Sequence, residues 1–329
     1  MDQPPSNPSS LAVLCPGQGA QAVGMGKAWF DASPEARQVF DTADRVLGNR
    51  LGMPLTKLCF EGPAERLNQT DASQPAIFAC SLASWAGLQA AWRYGPGEAP
   101  LAATAGLSLG EYTALVVGGA ISFEDGLELV TLRGRAMQDA AEATPSGMIA
   151  LIGADEAQAM EVCAQARGGD VLVCANFNAP GQIVISGSKA ACERALPVAT
   201  AMGLRATALA VAGAFHSPLM APAAERLAAA LATTSIKAAR CPVLSNVTGV
   251  AHETADFAAG VRKALVQQLT HPVRWAQNCS WLAGNVLASS ASNSNKPAEA
   301  HELAPGKTLA GLMRRIDKNV KVTAHEDPA

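Results

Sequence analysis

The chain has 329 residues, of which 49% are hydrophobic and 16% charged, and its net charge is -3 at pH 7. That length and apolar share are enough for one large packed domain or two smaller ones. With a pI near 6.0 and dispersed Lys and Arg, the chain excludes an electrostatic footprint for nucleic acid or an anionic membrane. No apolar run approaches membrane-spanning length. The eight cysteines are widely spaced without a C-x-x-C pair, and the histidines do not cluster with them. The sequence therefore presents no metal site and reads as a cytoplasmic protein with free thiols. Met1 to Ser10 is polar and Pro/Ser-rich, without the pattern of a secretion or transit signal.

In chain order, Leu11 to Cys15 reads as a buried strand that stops at Pro16-Gly17-Gln18-Gly19, where proline ends the ladder and glycines permit a close turn. Gln18 there reads equally as a solvated turn residue or a site residue. Ser33 and Pro34 start a helix with an apolar stripe through Ala36, Val39, Phe40, Ala43 and Leu47. Ser73-Gln74-Pro75 opens a long apolar helix, Leu101 to Ala105 is a strand, and Glu111 to Gly118 a helix. Ser122 to Asp125 caps a helix that carries Arg133 and Arg135. This alternation predicts a parallel sheet covered by helices. From about Gly147 the expected order is strand (Met148 to Gly153), helix (Ala154 to Arg167), two strands (Val171 to Asn176, Gln182 to Ser186), helix (Lys189 to Met202) and strand (Thr207 to Val211). That β-α-β-β-α-β order is that of a ferredoxin-like unit. Beyond it lie a helix from Met220 to Ala232, a strand at Val243 to Val247, a helix starting within Gln267 to Trp275, a Ser/Asn/Ala-rich mobile loop from Ala288 to Ala300, a strand and glycine turn at Glu302 to Lys307, and a last helix through Leu309 and Ile316.

The chemistry centres on Gly106-Leu107-Ser108-Leu109-Gly110. A serine on a sharp strand-to-helix turn exposes its hydroxyl only if the residues two before and two after lack side chains, and the following helix adds its amide dipoles where an oxyanion would form. Such a serine needs a base. His252, His271, His301 and His325 lie among polar or turn residues and read as surface groups. His216, in the glycine-opened loop Gly213 to Pro218 between the small unit and the large one, is the first choice. Arg133 sits one helix beyond the serine, where it can return a guanidinium suited to clamp a carboxylate, whereas Arg135 faces elsewhere on the helix.

Pro16-Gly17-Gln18-Gly19-Ala20-Gln21, Gly106 to Tyr112, Arg133 to Gln138, Ala214 to Met220, Ser245 to Gly249 and Pro305-Gly306-Lys307 together resemble the malonyl-CoA:acyl-carrier-protein transacylase family, in its order, from about residue 11 to residue 317. The resemblance implies Ser108 as acyl-accepting nucleophile, His216 as general base and acid, and Arg133 as binder of the malonyl carboxylate. It further implies the backbone amides of Gln18 and Leu109 as oxyanion hole, and Gln268 orienting His216 through its main-chain carbonyl. Leu107 stands where the common family form has histidine, which removes a polar pocket wall. Phe215 resembles the malonyl-selecting form of its loop, since its ring would crowd a 2-methyl branch; one methyl is typically worth only ~10 to 200-fold.

The expected architecture is a hydrolase-like α/β catalytic domain with a parallel sheet flanked by helices (residues 9–146 and 213–320), an inserted ferredoxin-like small subdomain (147–212), and flexible tails (1–8 and 321–329). The expected partners are malonyl-CoA and acyl carrier protein, with no nucleic acid or membrane, no cofactor beyond the thioester substrate, and a monomeric enzyme serving fatty acid synthesis. Three alternatives remain at this point: a malonyl-loading acyltransferase of a polyketide pathway, an α/β-hydrolase such as a thioesterase or esterase, and a non-catalytic carrier-binding module.

Overall fold

The computed structural model describes residues 8–288 and 298–328. Its elements run β1 (Leu11–Cys15), α1 (Lys27–Ala32), α2 (Pro34–Leu47), α3 (Leu55–Glu61), α4 (Ala64–Leu67), α5 (Thr70–Ala91), β2 (Leu101–Gly106), α6 (Gly110–Val117) and α7 (Phe123–Ala143). There follow β3 (Ser146–Ile152), α8 (Glu156–Arg167), β4 (Leu172–Ala179), β5 (Gln182–Ser188), α9 (Lys189–Ala201) and β6 (Arg205–Ala208). The chain closes with α10 (Ala221–Thr233), α11 (Phe257–Gln268), α12 (Trp275–Leu282), β7 (Glu299–Leu303), α13 (Thr308–Ile316) and β8 (Val322–His325).

One sheet is parallel, with strand order β2-β1-β7-β8. Every residue of β1 is buried, because it lies between β2 and β7 with helices over it, which explains its unbroken apolar run. The second sheet, β4-β5-β3-β6, is antiparallel and shares a separate core with α8 and α9, built on Ile149, Leu151, Val162 and Ile185. The capping signals hold: Ser33 and Ser122 accept from Ala36 N and Asp125 N, and Asp155 forms a capping box with Gln158. Among the described residues no helix is long and apolar enough to cross a membrane.

Several expectations need correction. The long helix begins at Thr70 rather than Ser73, because Gln138 accepts the Thr70 amide and Arg66 holds Asp71, so the first turn is supported from outside the helix. The strand expected at Val243 to Val247 is reduced to two isolated bridges, Val243 to Thr104 and Leu244 to Ala251, since the chain turns at Ser245 to direct Asn246 inward. The last strand of the small unit lies at Arg205–Ala208, earlier than Thr207 to Val211. Gln267 and Gln268, expected at the start of a helix, instead end one, α11; the next helix, α12, starts at Trp275. The carboxy-terminal segment is not a free tail. Val322–His325 adds β8 to the parallel sheet, and Trp29 Nε1 donates to the carbonyls of His325 and Glu326. Its short, half-polar sequence carries little pattern of its own; the partner strand supplies the pairing. At the other end the Tyr94 hydroxyl donates to the Pro8 carbonyl, while residues 1–7, and 289–297 of the loop expected to be mobile, lie outside the described residues.

Candidate active site

The site lies at the carboxyl ends of β1 and β2, where an open parallel sheet presents its loops. The glycines around Ser108 are sterically required. A Cβ on Gly106 would lie 1.9 Å from the Gly110 carbonyl oxygen, one on Gly110 2.1 Å from Cys15 O, and one on Gly17 2.3 Å from Leu107 O. These contacts press the β1 loop, the serine turn and α6 together. Ser108 is thereby held at φ +53°, and His216 at φ +56°; with Arg93 they are the non-glycine residues of positive φ among the described residues. Such strain persists only where surrounding contacts over-determine it. Here the Ser108 amide donates to Asn246 Oδ1 at 2.6 Å.

The hydroxyl and the imidazole, 108 positions apart in sequence, meet. Ser108 Oγ lies 2.9 Å from His216 Nε2, and His216 Nδ1 lies 2.7 Å from the Gln268 carbonyl oxygen. A carbonyl can only accept, so Nδ1 carries the proton and neutral Nε2 is free to take one from the serine. Burial, reinforced by the nearby Arg133 charge and opposed by the Gln268 hydrogen bond, lowers the imidazole from 6.5 to about 4.

Arg133 reaches the same spot from α7, which packs closely on α5 at Gly134, where a Cβ would lie 2.7 Å from Thr70 O. The guanidinium is 1% exposed. It donates from Nη1 to Gln74 Oε1 at 2.8 Å, and from Nη2 to Ser108 Oγ at 3.0 Å and Gln268 Oε1 at 2.9 Å. Its Nε–H is buried without a partner, and the Tyr112 ring lies 5.4 Å beneath it. Among the described residues it is ion-paired to no carboxylate. Arg135, by contrast, points outward to Asp139.

The amides of Gln18 and Leu109 flank the serine from the β1 loop and the α6 start, and among the described residues neither donates within the chain. The Gln18 side chain donates to Thr70 Oγ1 at 3.3 Å. Ser108 and His216 open into a cleft of about 570 Å³ between the two sheets. Leu107, Phe215, Met137, Met148 and Val184 form its apolar walls, and Gln18, Asn176 and Asn178 its polar ones. Such a cleft can hold a short acyl chain against a serine, with a cation behind it.

A polar layer beneath the site was not foreseen. Glu111 Oε2 accepts from Gln268 Nε2 at 2.7 Å and from the Asn246 amide at 3.1 Å, while Oε1 lies 2.9 Å from His252 Nε2. Asn246 Nδ2 donates to Gly106 O, and Asn278 Nδ2 to Ser245 O. His252 is therefore a buried partner rather than a surface group. His301 is likewise buried, stacked on the half-buried His325 with ring centroids 5.1 Å apart on β7 and β8; only His271 is exposed. A carboxylate next to an elbow glycine was the one available signal for this layer; Gln74, Asn246 and His252 carry none in sequence.

Residues 13–285 match the acyl transferase domain. The chain belongs to that family. Among curated relatives of the acyl transferase domain is a malonyl CoA-acyl carrier protein transacylase of Salmonella typhimurium, 39% identical over 322 residues, covering 98% of this chain and 97% of the relative. The solved malonyl-CoA:acyl carrier protein transacylase of Xanthomonas oryzae pv. oryzae is 42% identical with a TM-score of 0.86, covering 97% of this chain and 95% of that one. A solved type II PKS acyl-carrier protein in complex with its malonyl-transacylase is similar at 36% identity and a TM-score of 0.86, covering 97% of each chain.

Proposed function

We propose that this acyl transferase moves a malonyl group from malonyl-CoA to the phosphopantetheine thiol of acyl carrier protein, for fatty acid synthesis. The observation that carries the reading is that Ser108 and His216 line one cleft and meet each other there, while an Arg133 that lacks a carboxylate partner reaches the Ser108 hydroxyl from behind it. Ser108 Oγ attacks the thioester carbonyl while His216 Nε2 takes its proton; the oxyanion is received by the amides of Leu109 and Gln18. Collapse expels CoA, whose sulfur takes the proton from His216, and leaves malonyl-Ser108. The carrier thiol then gives its proton to His216, attacks the ester carbonyl and releases Ser108 by the reverse path. General base catalysis of this kind is worth ~10² to 10⁴ in rate and one oxyanion donor ~10² to 10³.

Arg133 selects the acyl group. A buried guanidinium with an idle Nε–H and no carboxylate of its own suits the free carboxylate of malonate, and has no purpose for the neutral ester of an esterase. Gln268 holds His216 in its working tautomer, and Leu107 and Phe215 shape the wall that the acyl carbon chain meets. No cofactor is needed, because the thioester itself supplies the activated acyl group. We further assign residues 147–212 as an inserted ferredoxin-like subdomain on an otherwise hydrolase-like chain; the strand order β4-β5-β3-β6 with two helices supports this. A cytoplasmic, reducing location fits eight free cysteines, seven of them buried.

The test replaces Arg133 with Ala and compares malonyl-CoA with acetyl-CoA as donor, following acyl-enzyme formation and transfer to holo carrier protein. The preference for malonyl should collapse by two orders of magnitude or more, about the cost of removing a buried charged hydrogen-bond partner. An unchanged preference would show that another group reads the carboxylate.

A further inference from the structure

Arg133 poses an electrostatic problem. A guanidinium buried to 1% exposure is strongly destabilising unless an anion balances it, yet a direct salt bridge would occupy the donors that a substrate carboxylate needs. The nearest arrangement that resolves this runs through one amide. Arg133 Nη2 donates to Gln268 Oε1 at 2.9 Å, and the other end of that amide, Nε2, donates to Glu111 Oε2 at 2.7 Å. Cation, amide dipole and carboxylate therefore lie in series with the dipole oriented favourably toward both charges.

We propose that Glu111 is the stand-off counter-ion of Arg133: a positioning residue that neutralises the buried guanidinium through the Gln268 side chain while leaving it unpaired for the substrate carboxylate. The proposal rests on the reading of Arg133 given above and adds how its charge is kept available. Glu111 is itself 1% exposed, and every hydrogen-bonding neighbour on its carboxylate is a donor. Gln268 Nε2 and the Asn246 amide meet Oε2, and His252 meets Oε1. With a carboxylate facing it, His252 donates from Nε2. All three neighbours direct a hydrogen at the carboxylate, so its oxygens meet only donors. The Glu111 charge also acts to raise the Arg133 pKa against the burial that lowers it.

Two anions then compete for one cation. Glu111 offsets part of the field at Arg133 in the empty enzyme, so the malonyl carboxylate binds a cation already half-satisfied and can leave again when the product is released. Removing the Glu111 charge must strengthen binding of a carboxylated acyl group relative to an uncharged one. A role confined to holding the loop together would weaken both alike.

Glu111→Gln keeps the shape. Its oxygen can accept from Gln268 and Asn246, and its amide can face His252 in that residue's other tautomer. The ratio of kcat/KM for malonyl-CoA to that for acetyl-CoA should rise about fivefold or more, a modest Coulombic coupling at an effective dielectric near 20. The rise should come through a lower KM for malonyl-CoA. The melting temperature of the free variant should fall, and added malonyl-CoA should recover more of it than in the parent protein. If Glu111→Gln does not fold, Glu111→Asp, which withdraws the carboxylate by one methylene, should show the same direction with a smaller rise. A ratio that is unchanged because both substrates are impaired equally, or one that falls, overturns the proposal. Arg133→Ala measured in parallel separates the two failures. If that variant keeps its malonyl preference, the carboxylate reading of Arg133 is wrong; if it loses the preference while Glu111→Gln leaves the ratio unmoved, only the counter-ion is wrong.

Discussion

In the proposed mechanism His216 meets two demands that ordinarily conflict, since a buried imidazole is hard to charge and yet would accept a proton during each half-reaction. Its lowering to about 4 by burial and by Arg133 keeps it neutral, and so competent as a base, well below the pH at which a free imidazole protonates. The acid limb of kcat/KM should accordingly fall near pH 4 to 5 rather than near 6.5, and a limb at 6.5 would contradict the geometry. Stability follows from the same shift. In the unfolded chain His216 and His301 take up protons below 6.5, whereas in the native state both are held down to about 4, so their contribution is lost as pH falls from 6.5 to 4. Glu302 acts oppositely. Burial raises it from 4.5 to about 7, so its contribution diminishes as pH rises across that interval. With two histidines against one carboxylate, melting temperature should decline on acidification below 6.5; a flat profile would count against the buried state of the two imidazoles. At this scale the reacting groups were legible, because Ser108 sits between glycines and His216 in a glycine-opened loop. Of the groups around them, Gln268 is implied by the family resemblance, whereas Asn246, Gln74 and His252 were not legible, because they act through contacts 59 to 141 positions away.

The element that does most to build the site is the turn between β2 and α6. Its glycines are set by backbone approach, and that requirement can be read in sequence because it demands a particular residue type. Gly110→Ala would place a methyl group 2.1 Å from Cys15 O, forcing β1 and the start of α6 apart. We expect acylation to fall at least ~10²-fold, the cost typical of a misplacement near 1 Å, with the melting temperature lowered as well. Wild-type rates in that variant would show that the close approach is not needed. Helix α11 teaches the converse. It delivers Gln268 in its last turn, behind Phe257, Val261, Ala264 and Leu265 buried at helical spacing, whereas the stretch Gln267 to Trp275 read by itself places the residue at a helix start. Strand β8 is illegible for a related reason: its pairing with β7 and the His301–His325 stack belong to the partner strand as much as to its own four residues.

Across the whole molecule, two sheets with separate cores enclose one cleft, and the residues facing it come from both. Leu107, Ser108 and His216 are contributed by the loops of the parallel sheet and its connections; Met148, Asn176 and Val184 by the antiparallel one. The alternation of strands and helices made the division into these layers visible beforehand, since a β-α-β-β-α-β run folds its two crossovers into a sheet of its own whose neighbouring strands pair antiparallel. How the layers close on one another was not visible, because that depends on contacts such as Phe177 N to Val273 O that no local pattern encodes. The account stands on Ser108 carrying the acyl group between donor and carrier. Intact-mass measurement after brief incubation with malonyl-CoA, followed by peptide mapping, reads this directly. One malonyl group should appear on the peptide containing Ser108, disappear on adding holo carrier protein, and never form in Ser108→Ala. A stable adduct on any other residue, or malonyl retained by that variant, would contradict it.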